Sequence, residues 1–280
     1  MKKCIVCGGT DSAPAFPAIL KCPECRTMTA DISLSDKELS NLYSKNYFFG
    51  EEYSDYINDR NVLEKNFNLR VKVLERFLEG VHGKRLLEIG SAYGFFMDLV
   101  RNKFEAVQGF DISKNGVEYA RERLKLDVRN DDFLKYDFDG ECFDVVCLWD
   151  TLEHLRDPHL YLEKISRLVR KDGLVAITTG DIESVNARWR KEKWRLLHPP
   201  THLYYFSKKS IDQLLKRYDL EVIYNKYCGF YRSIDNIAYN IFVLRNKKKF
   251  IYDCLKKSGL TQLCVYINLF DIFYIVARKK

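Results

Sequence analysis

The sequence lacks any run that would cross a bilayer. Its most apolar segment, 263–277, is broken by Asn268 and Asp271 and falls short of the ~20 apolar residues that a spanning helix needs. No secretory leader is expected, because Cys4 and Cys7 stand where the apolar core of a signal peptide would begin. No segment repeats another, and none is of low complexity. The nine cysteines do not read as a disulfide framework. Four fall in two C-x-x-C pairs, and Cys142, Cys147, Cys228, Cys254 and Cys264 are scattered among apolar neighbours. That usage fits a reducing compartment, so the expected location is the cytoplasm. Charge is nearly balanced: 46 Lys and Arg against 39 Asp and Glu give +7. Read as an excess spread along the chain, this points only weakly to an anionic partner. The tightest basic run, Arg245-Asn246-Lys247-Lys248-Lys249, reads as a solvated turn.

What is present is a globular composition, 46% hydrophobic and 30% charged over 280 residues. It is enough for one large domain or a core domain with a small appendage. Cys4-Ile5-Val6-Cys7 and Cys22-Pro23-Glu24-Cys25, fourteen residues apart, can each form a knuckle with two thiolates aimed at one centre. Together they suit a closed tetrahedral zinc site of structural type. So short a segment cannot build its own core, so the metal would supply its folding energy. Residues 1–30 are therefore expected to be a zinc module.

Residues 31–82 form a connector. Its first half is dense in rings (Tyr43, Tyr47, Phe48, Phe49, Tyr53, Tyr56), either a lid that keeps water from a cleft or a strap packed on the main domain. From position 60 to 80, Val62, Leu63, Phe67, Val71, Leu74, Phe77 and Leu78 recur at helical spacing, and Gly80 and Gly83 end the helix.

The chain is organised around Leu86-Leu87-Glu88-Ile89-Gly90-Ser91-Ala92-Tyr93-Gly94-Phe95-Phe96, a buried strand, a turn of small residues and the start of a helix. About twenty residues after the turn, Gly109-Phe110-Asp111-Ile112 ends a second strand on an acid, the arrangement that holds an adenine-ribose cofactor. Further strands are expected at 127–130, 143–149, 173–179, 220–228 and 269–277. Helices are expected at 114–125, from Pro158 to about 169 with Asp157 as cap, and at 207–217 with Ser207 as cap. Strands alternating with helices mean an α/β doubly wound sheet, in which ligands lie beyond the carboxyl ends of the strands. The informative positions are then 90–94, Asp111 with Ile112, Asp132 with Phe133, and Asp150-Thr151-Leu152-Glu153-His154. Asp111 can accept from ribose hydroxyls. Asp132 can take an adenine amino group while Phe133 or Ile112 covers a ring face.

From 86 to about 227 this set resembles the class I S-adenosylmethionine-dependent methyltransferases, through the Glu-x-Gly-x-x-x-Gly turn, Gly-Phe-Asp-Ile-Ser, Phe-Asp-Val-Val, Glu-His-Leu-x-Asp-Pro and Leu-Val-Arg-Lys-Asp-Gly. Two positions depart from the pattern. Ala92 replaces the middle glycine, which is tolerable if its backbone is not left-handed, and Asp172 replaces the first glycine before strand five. The resemblance implies a Rossmann-like, mostly parallel seven-stranded sheet with an antiparallel last strand, within 83–280, and an insertion at 233–262. It implies S-adenosylmethionine as cofactor, with Glu88, Gly90, Ser91, Ala92, Tyr93 and Gly94 bordering the methionine part. The acidic flank, Glu88 and Asp150, suits a cationic sulfonium better than the pyrophosphate of a dehydrogenase.

In-line methyl transfer to an oxygen needs a positioned acceptor and a base. His154 and His202 are the candidates, each with a purely structural loop-holding role as the alternative. If 150–154 is helical, His154 shares a face with Asp150. A zinc knuckle pair followed by a Tyr-rich connector is similar to bacterial sugar, polysaccharide and natural-product methyltransferases. The implied acceptor is a hydroxyl of a sugar, glycan intermediate or related small molecule. An RNA or quinone acceptor, or a cofactor-binding module that docks a partner without turnover, are the alternatives. Lys2, Lys3, Lys21 and Arg26 are too few cations for a phosphate-tracking surface, which disfavours nucleic acid. The insertion is open to three readings: a cap on the acceptor pocket, a dimer contact, or a membrane contact for a lipid-linked substrate.

Overall fold

A computed structural model describes residues 3–35, 38, 41–42 and 55–280. Tyr43, Tyr47, Phe48, Phe49 and Tyr53, most of the ring-rich segment read as a lid or a strap, lie outside the described residues. The elements run β1 (Ala13–Phe16), β2 (Ile19–Lys21), β3 (Met28–Ala30), α1 (Arg60–Leu74), β4 (Arg85–Ile89), α2 (Phe95–Val100), β5 (Ala106–Phe110), α3 (Lys114–Leu124), β6 (Asp127–Arg129), β7 (Phe143–Trp149), α4 (Pro158–Leu168) and β8 (Val169–Gly180). Then follow α5 (Val185–Arg190), β9 (Tyr204–Tyr205), α6 (Lys208–Lys216), β10 (Leu220–Tyr227), β11 (Phe230–Ser233), α7 (Ile234–Ala238), a π-helical turn (Tyr239–Arg245), α8 (Lys249–Lys257), β12 (Cys264–Ile267) and β13 (Ile272–Lys279).

Seven strands pair in the order β10-β13-β8-β7-β4-β5-β6. β13 is antiparallel to both neighbours, and the pairings from β8 to β6 are parallel. This is the sheet the sequence implies. Its central strands read as continuous apolar runs because both faces are covered. In β7, Val146 and Leu148 face one core, while Val145, Cys147 and Trp149 face the other. Strand order reverses beside β4, so the carboxyl ends of β4 and β7 border the crevice where ligands bind in such sheets.

Several local expectations change. The helix in the second half of the connector stops at Leu74 and finishes as one 3-10 turn, Glu75–Phe77, ahead of Gly80 and Gly83. Ser207 caps α6 through a full capping box. Asp157 stands at the start of α4, but its side chain makes no capping bond. Pro158 lacks an amide hydrogen and opens the helix without that help. The 230–267 stretch folds as a small lobe in which the ribbon β11-β12 frames α7 and α8.

The N-terminal residues join the main body. β1, β2 and β3 form an antiparallel sheet that β9 extends, with Met28 opposite Tyr205. The Arg217 guanidinium donates to the carbonyls of Ile5 and Val6.

Candidate active site

A cavity of about 910 Å³ opens at the carboxyl ends of β4, β5, β6 and β7. Its size is at the upper end of ordinary ligand pockets, roomy enough for a nucleoside cofactor beside a second small molecule. Glu88, Gly90, Ser91, Ala92, Asp111, Ile112, Asp132, Phe133, Asp150, His154 and His202 all line it. Tyr93 and Gly94 do not. The Tyr93 ring packs against Tyr56, Phe95 and Tyr119. Gly94 has φ +78 at the start of α2, where a Cβ would come within 2.8 Å of the Leu126 side chain. Its role is packing under the helix.

The turn is built by backbone strain and one carboxylate. Gly90 has φ +80, and a Cβ there would fall 2.3 Å from the Thr151 hydroxyl, so only glycine fits. Ala92 has φ +47, a left-handed conformation, contrary to the expectation that it would avoid this region. Its amide donates to Asp111 Oδ2 at 2.7 Å, while Asp111 Oδ1 accepts from Ser113 N at 2.7 Å. The two bonds hold the turn against the end of β5. They leave Asp111 the remaining lone pairs of an acceptor-only group for a ligand's hydroxyls. Loss of water around this carboxyl pushes its pKa up to about 6, against the two amide bonds that favour its charge.

Asp172, the second departure from the glycine pattern, also takes a positive φ, +64, which Asp tolerates better than most residues.

Several buried polar atoms on the cavity wall have no hydrogen-bond partner: Glu88 Oε2, Ser91 Oγ, Trp149 Nε1, Glu153 Oε2 and Arg195 Nε. Orphaned groups like these are costly in a finished core, and the residues that carry them border this one cavity. Glu88 is only 2% exposed, and burial together with the nearby Asp111 charge holds its pKa well above the usual range.

Asp150 is placed differently from expectation. Its carboxylate lies 2.6 Å from the Arg70 guanidinium, which sits over the Trp149 and Phe67 rings. The acid at the end of β7 therefore arrives already paired with a cation. Sequence reasoning missed Arg70, although a signal was there: it falls on the apolar face of α1, three after Phe67 and four before Leu74. Tyr56, the described ring of the connector's first half, stacks on Phe95 and also lines the cavity. Asp132 accepts from Leu134 N and pairs with Lys135 at 3.2 Å. Phe133 is stacked on Tyr161, and Ile112 stays largely exposed at the rim.

Leu152–His154 is a single 3-10 turn and not an α-helix, so His154 shares no helical face with Asp150. His154 Nδ1 lies 2.9 Å from the Thr201 carbonyl, which can only accept, so this nitrogen carries the hydrogen. The His154 and His202 rings stand edge to face at 4.5 Å. Ligand atoms of Glu153, His154 and His202 all lie within 4.8 Å of one another. Sequence reasoning quoted Glu153 but gave it no role. Burial, with the Asp150 charge behind it, pushes its pKa up to about 8. Burial pushes His154 down to about 4, and it lowers His202 as well, helped by the His154 and His198 rings.

The four N-terminal cysteines meet as the spacing requires. Cys4 and Cys25 sulfurs are 3.4 Å apart, as are those of Cys7 and Cys22, and all four lie within 4.8 Å. These separations exceed a disulfide bond, and all four thiols are free.

Fold and cavity together define a doubly wound α/β domain with a strand-end acid on a cavity large enough for a nucleoside cofactor. The comparisons agree. A methyltransferase-domain family model matches residues 62–225, more than half of the chain. The chain belongs to that family and is a class I S-adenosylmethionine-dependent methyltransferase. It is 28% identical over 121 residues to a ubiquinone biosynthesis O-methyltransferase of Glaesserella parasuis, covering 40% of this chain and 51% of the relative. It is 29% identical over 119 residues to phosphoethanolamine N-methyltransferase 2 of Caenorhabditis elegans, covering 40% and 27%. The chain thus spans about half the length, or less, of the curated relatives it matches. In fold it is similar to the YcgJ protein of Bacillus subtilis (TM-score 0.54, 15% identity, 76% of this chain and 99% of that one). It is also similar to an S-adenosylmethionine-dependent methyltransferase of Clostridium acetobutylicum (TM-score 0.52, 8% identity, 77% and 91%).

Proposed function

We propose that the protein methylates a hydroxyl of a small organic acceptor, a sugar or glycan intermediate, bound in the same cavity as the cofactor. The observation that carries this is the cluster of Glu153, His154 and His202 on the cavity wall beside the donor turn. When bound, S-adenosylmethionine supplies an electrophilic methyl group on a cationic sulfonium. The residues present fit it. Asp111, Ile112, Asp132 and Phe133 take the nucleoside end, and Glu88, Ser91 and the 90–92 backbone take the methionine end.

The acceptor hydroxyl must be held in line and lose its proton as it attacks. Of these three groups Glu153 has the pKa nearest neutrality, and its unpartnered Oε2 takes the proton. His154, fixed through Thr201, and His202 hold the acceptor oxygen toward it. The Arg70–Asp150 pair keeps an acid near the reacting centre without leaving its charge unbalanced.

The names of the bacterial relatives favour a second reading, a phenolic hydroxyl of a quinone precursor. An RNA acceptor draws less support, since Arg26, one of the few cations near the cysteines, is committed to Glu183. We further propose one structural zinc on Cys4, Cys7, Cys22 and Cys25, a division into 1–30, 31–82 and 83–280, and residence in a reducing cytoplasm.

The test is transfer of labelled methyl to a panel of nucleotide sugars, glycan intermediates and catechol-type phenols. Transfer to a sugar, abolished by Glu153→Gln while the demethylated cofactor still binds, is the expected outcome. Transfer to phenols alone selects the quinone reading. Cofactor binding with no transfer to any acceptor, and no effect of Glu153→Gln or His202→Ala, would leave only a binding module.

A further inference from the structure

The surface between positions 241 and 270 is unlike the rest of the molecule. Among the described residues, ten of the fourteen large apolar side chains left exposed lie in this tenth of the chain. Phe250 is 78% exposed, Phe270 62% and Leu263 59%. The same stretch carries six Lys and Arg against a single Asp, so it holds most of the chain's +7. The charge excess is therefore concentrated here, not spread along the chain. The run from Arg245 to Lys249 is part of a larger surface and not simply a solvated turn.

The way α8 is seated fixes what it presents. Tyr252 is its one buried side chain, packed on Tyr239 at 5.5 Å with its hydroxyl donating to Asp235 at 3.0 Å. At about 100° per residue, the side opposite Tyr252 carries Phe250, Cys254 and Lys257, all exposed. An exposed ring beside a cation, Phe250 next to Lys257, on the outward side of a short helix suits an element that lies in a membrane interface. Exposed apolar groups clustered this densely mark an interaction site.

We propose that the 241–270 lobe docks the protein on an anionic bilayer. Charge chooses the occupant. A second copy seated on this face by a two-fold axis would set the six cations against their own copies, whereas anionic headgroups neutralise them while Phe250 and Leu263 enter the acyl boundary. The lobe also forms one side of the cavity: Phe230, Tyr231, Ser233 and Asn236, where it leaves the sheet, line the wall, and β12 is zipped to β11. Docking therefore brings the rim of the acceptor space to the membrane surface. The surface itself does not depend on which acceptor is methylated.

The test is co-sedimentation of the full chain with vesicles of phosphatidylcholine alone and of a two-to-one mixture with phosphatidylglycerol. Binding to the mixed vesicles only, weakened by added salt, is expected. Joint replacement Lys247→Ala, Lys248→Ala and Lys249→Ala should weaken it roughly a hundredfold. Phe250→Ser with Leu263→Ser should remove most of the rest. Both variants should keep the parent's thermal shift with the demethylated cofactor, which shows that the fold and the donor site are intact. Three outcomes overturn the proposal: no binding to either vesicle, equal binding to both, or variants that bind like the parent. A dimer in sedimentation equilibrium that the same variants disperse, without vesicle binding, would assign the surface to a second copy.

Discussion

Ala92 lets the strain in the donor turn be measured. It occupies a left-handed conformation, φ +47, because its amide must reach Asp111 and its carbonyl passes so close to α3 that a Cβ at Gly116 would lie 2.6 Å from it. A left-handed L-residue carries roughly 1–2 kcal/mol of strain. Ala92→Gly removes that strain but gives the unfolded chain about 0.4–1 kcal/mol of extra freedom. It also deletes a half-buried methyl worth at most about half of the ~0.8 kcal/mol of a buried CH₂. The balance is near zero to about +1 kcal/mol of added stability. Ala92→Val keeps the conformation and adds a β-branch, for which positive φ is a genuine outlier costing about 1–3 kcal/mol more. The valine variant should therefore melt below the parent and the glycine variant at or above it, the two separated by at least ~2 °C. Melting curves with and without the demethylated cofactor check both, and the glycine variant should keep the parent's affinity. A valine variant that melts with the parent, or a glycine variant that melts well below it, would refute a strained turn at this position.

Gly90→Ala should behave in the opposite way: its Cβ would fall on the Thr151 hydroxyl, so cofactor binding by calorimetry should be lost along with about 1–3 kcal/mol of stability. Turnover should rise as pH passes through about 8, where Glu153 ionises, and Glu153→Gln should flatten that limb of the rate profile. The same group predicts a stability trend. Its folded pKa lies above the ~4.3 of an unfolded Glu, so the native state binds the extra proton and loses stability as pH rises from about 4.3 to about 8. The melting temperature of Glu153→Gln should fall less over that range. Metal analysis should find one zinc per chain, and chelation should lower turnover more than cofactor affinity. The reason is positional: β3 of the cysteine segment pairs with β9, which directly follows His202.

The sheet was legible because its central strands are apolar runs, β5 and β7 each followed by an acid, and burial on both faces fits the continuous apolar character of 86–89 and 143–149. The donor turn was legible from glycine spacing, but its strain was not. Whether Ala92 is left-handed depends on a carboxylate at the end of another strand and on the approach of α3. The same holds for Asp150: the sequence shows an acid at a strand end, and only the packing of α1 shows that Arg70 neutralises it.

The acceptor side was least legible because it is assembled from distant pieces. Glu153 and His154 come from the turn after β7 and His202 from the loop before β9, joined by Leu203 N donating to the Glu153 carbonyl and by His154 against Thr201. One further bond, from Ala30 N to the Leu203 carbonyl, ties this junction to the cysteine segment. The cysteines, the His202 loop and Glu153 are thus consecutive links in one backbone network. On the proposed roles of these residues, a change at the N-terminus that leaves the cofactor turn whole should still be felt at Glu153 and His202.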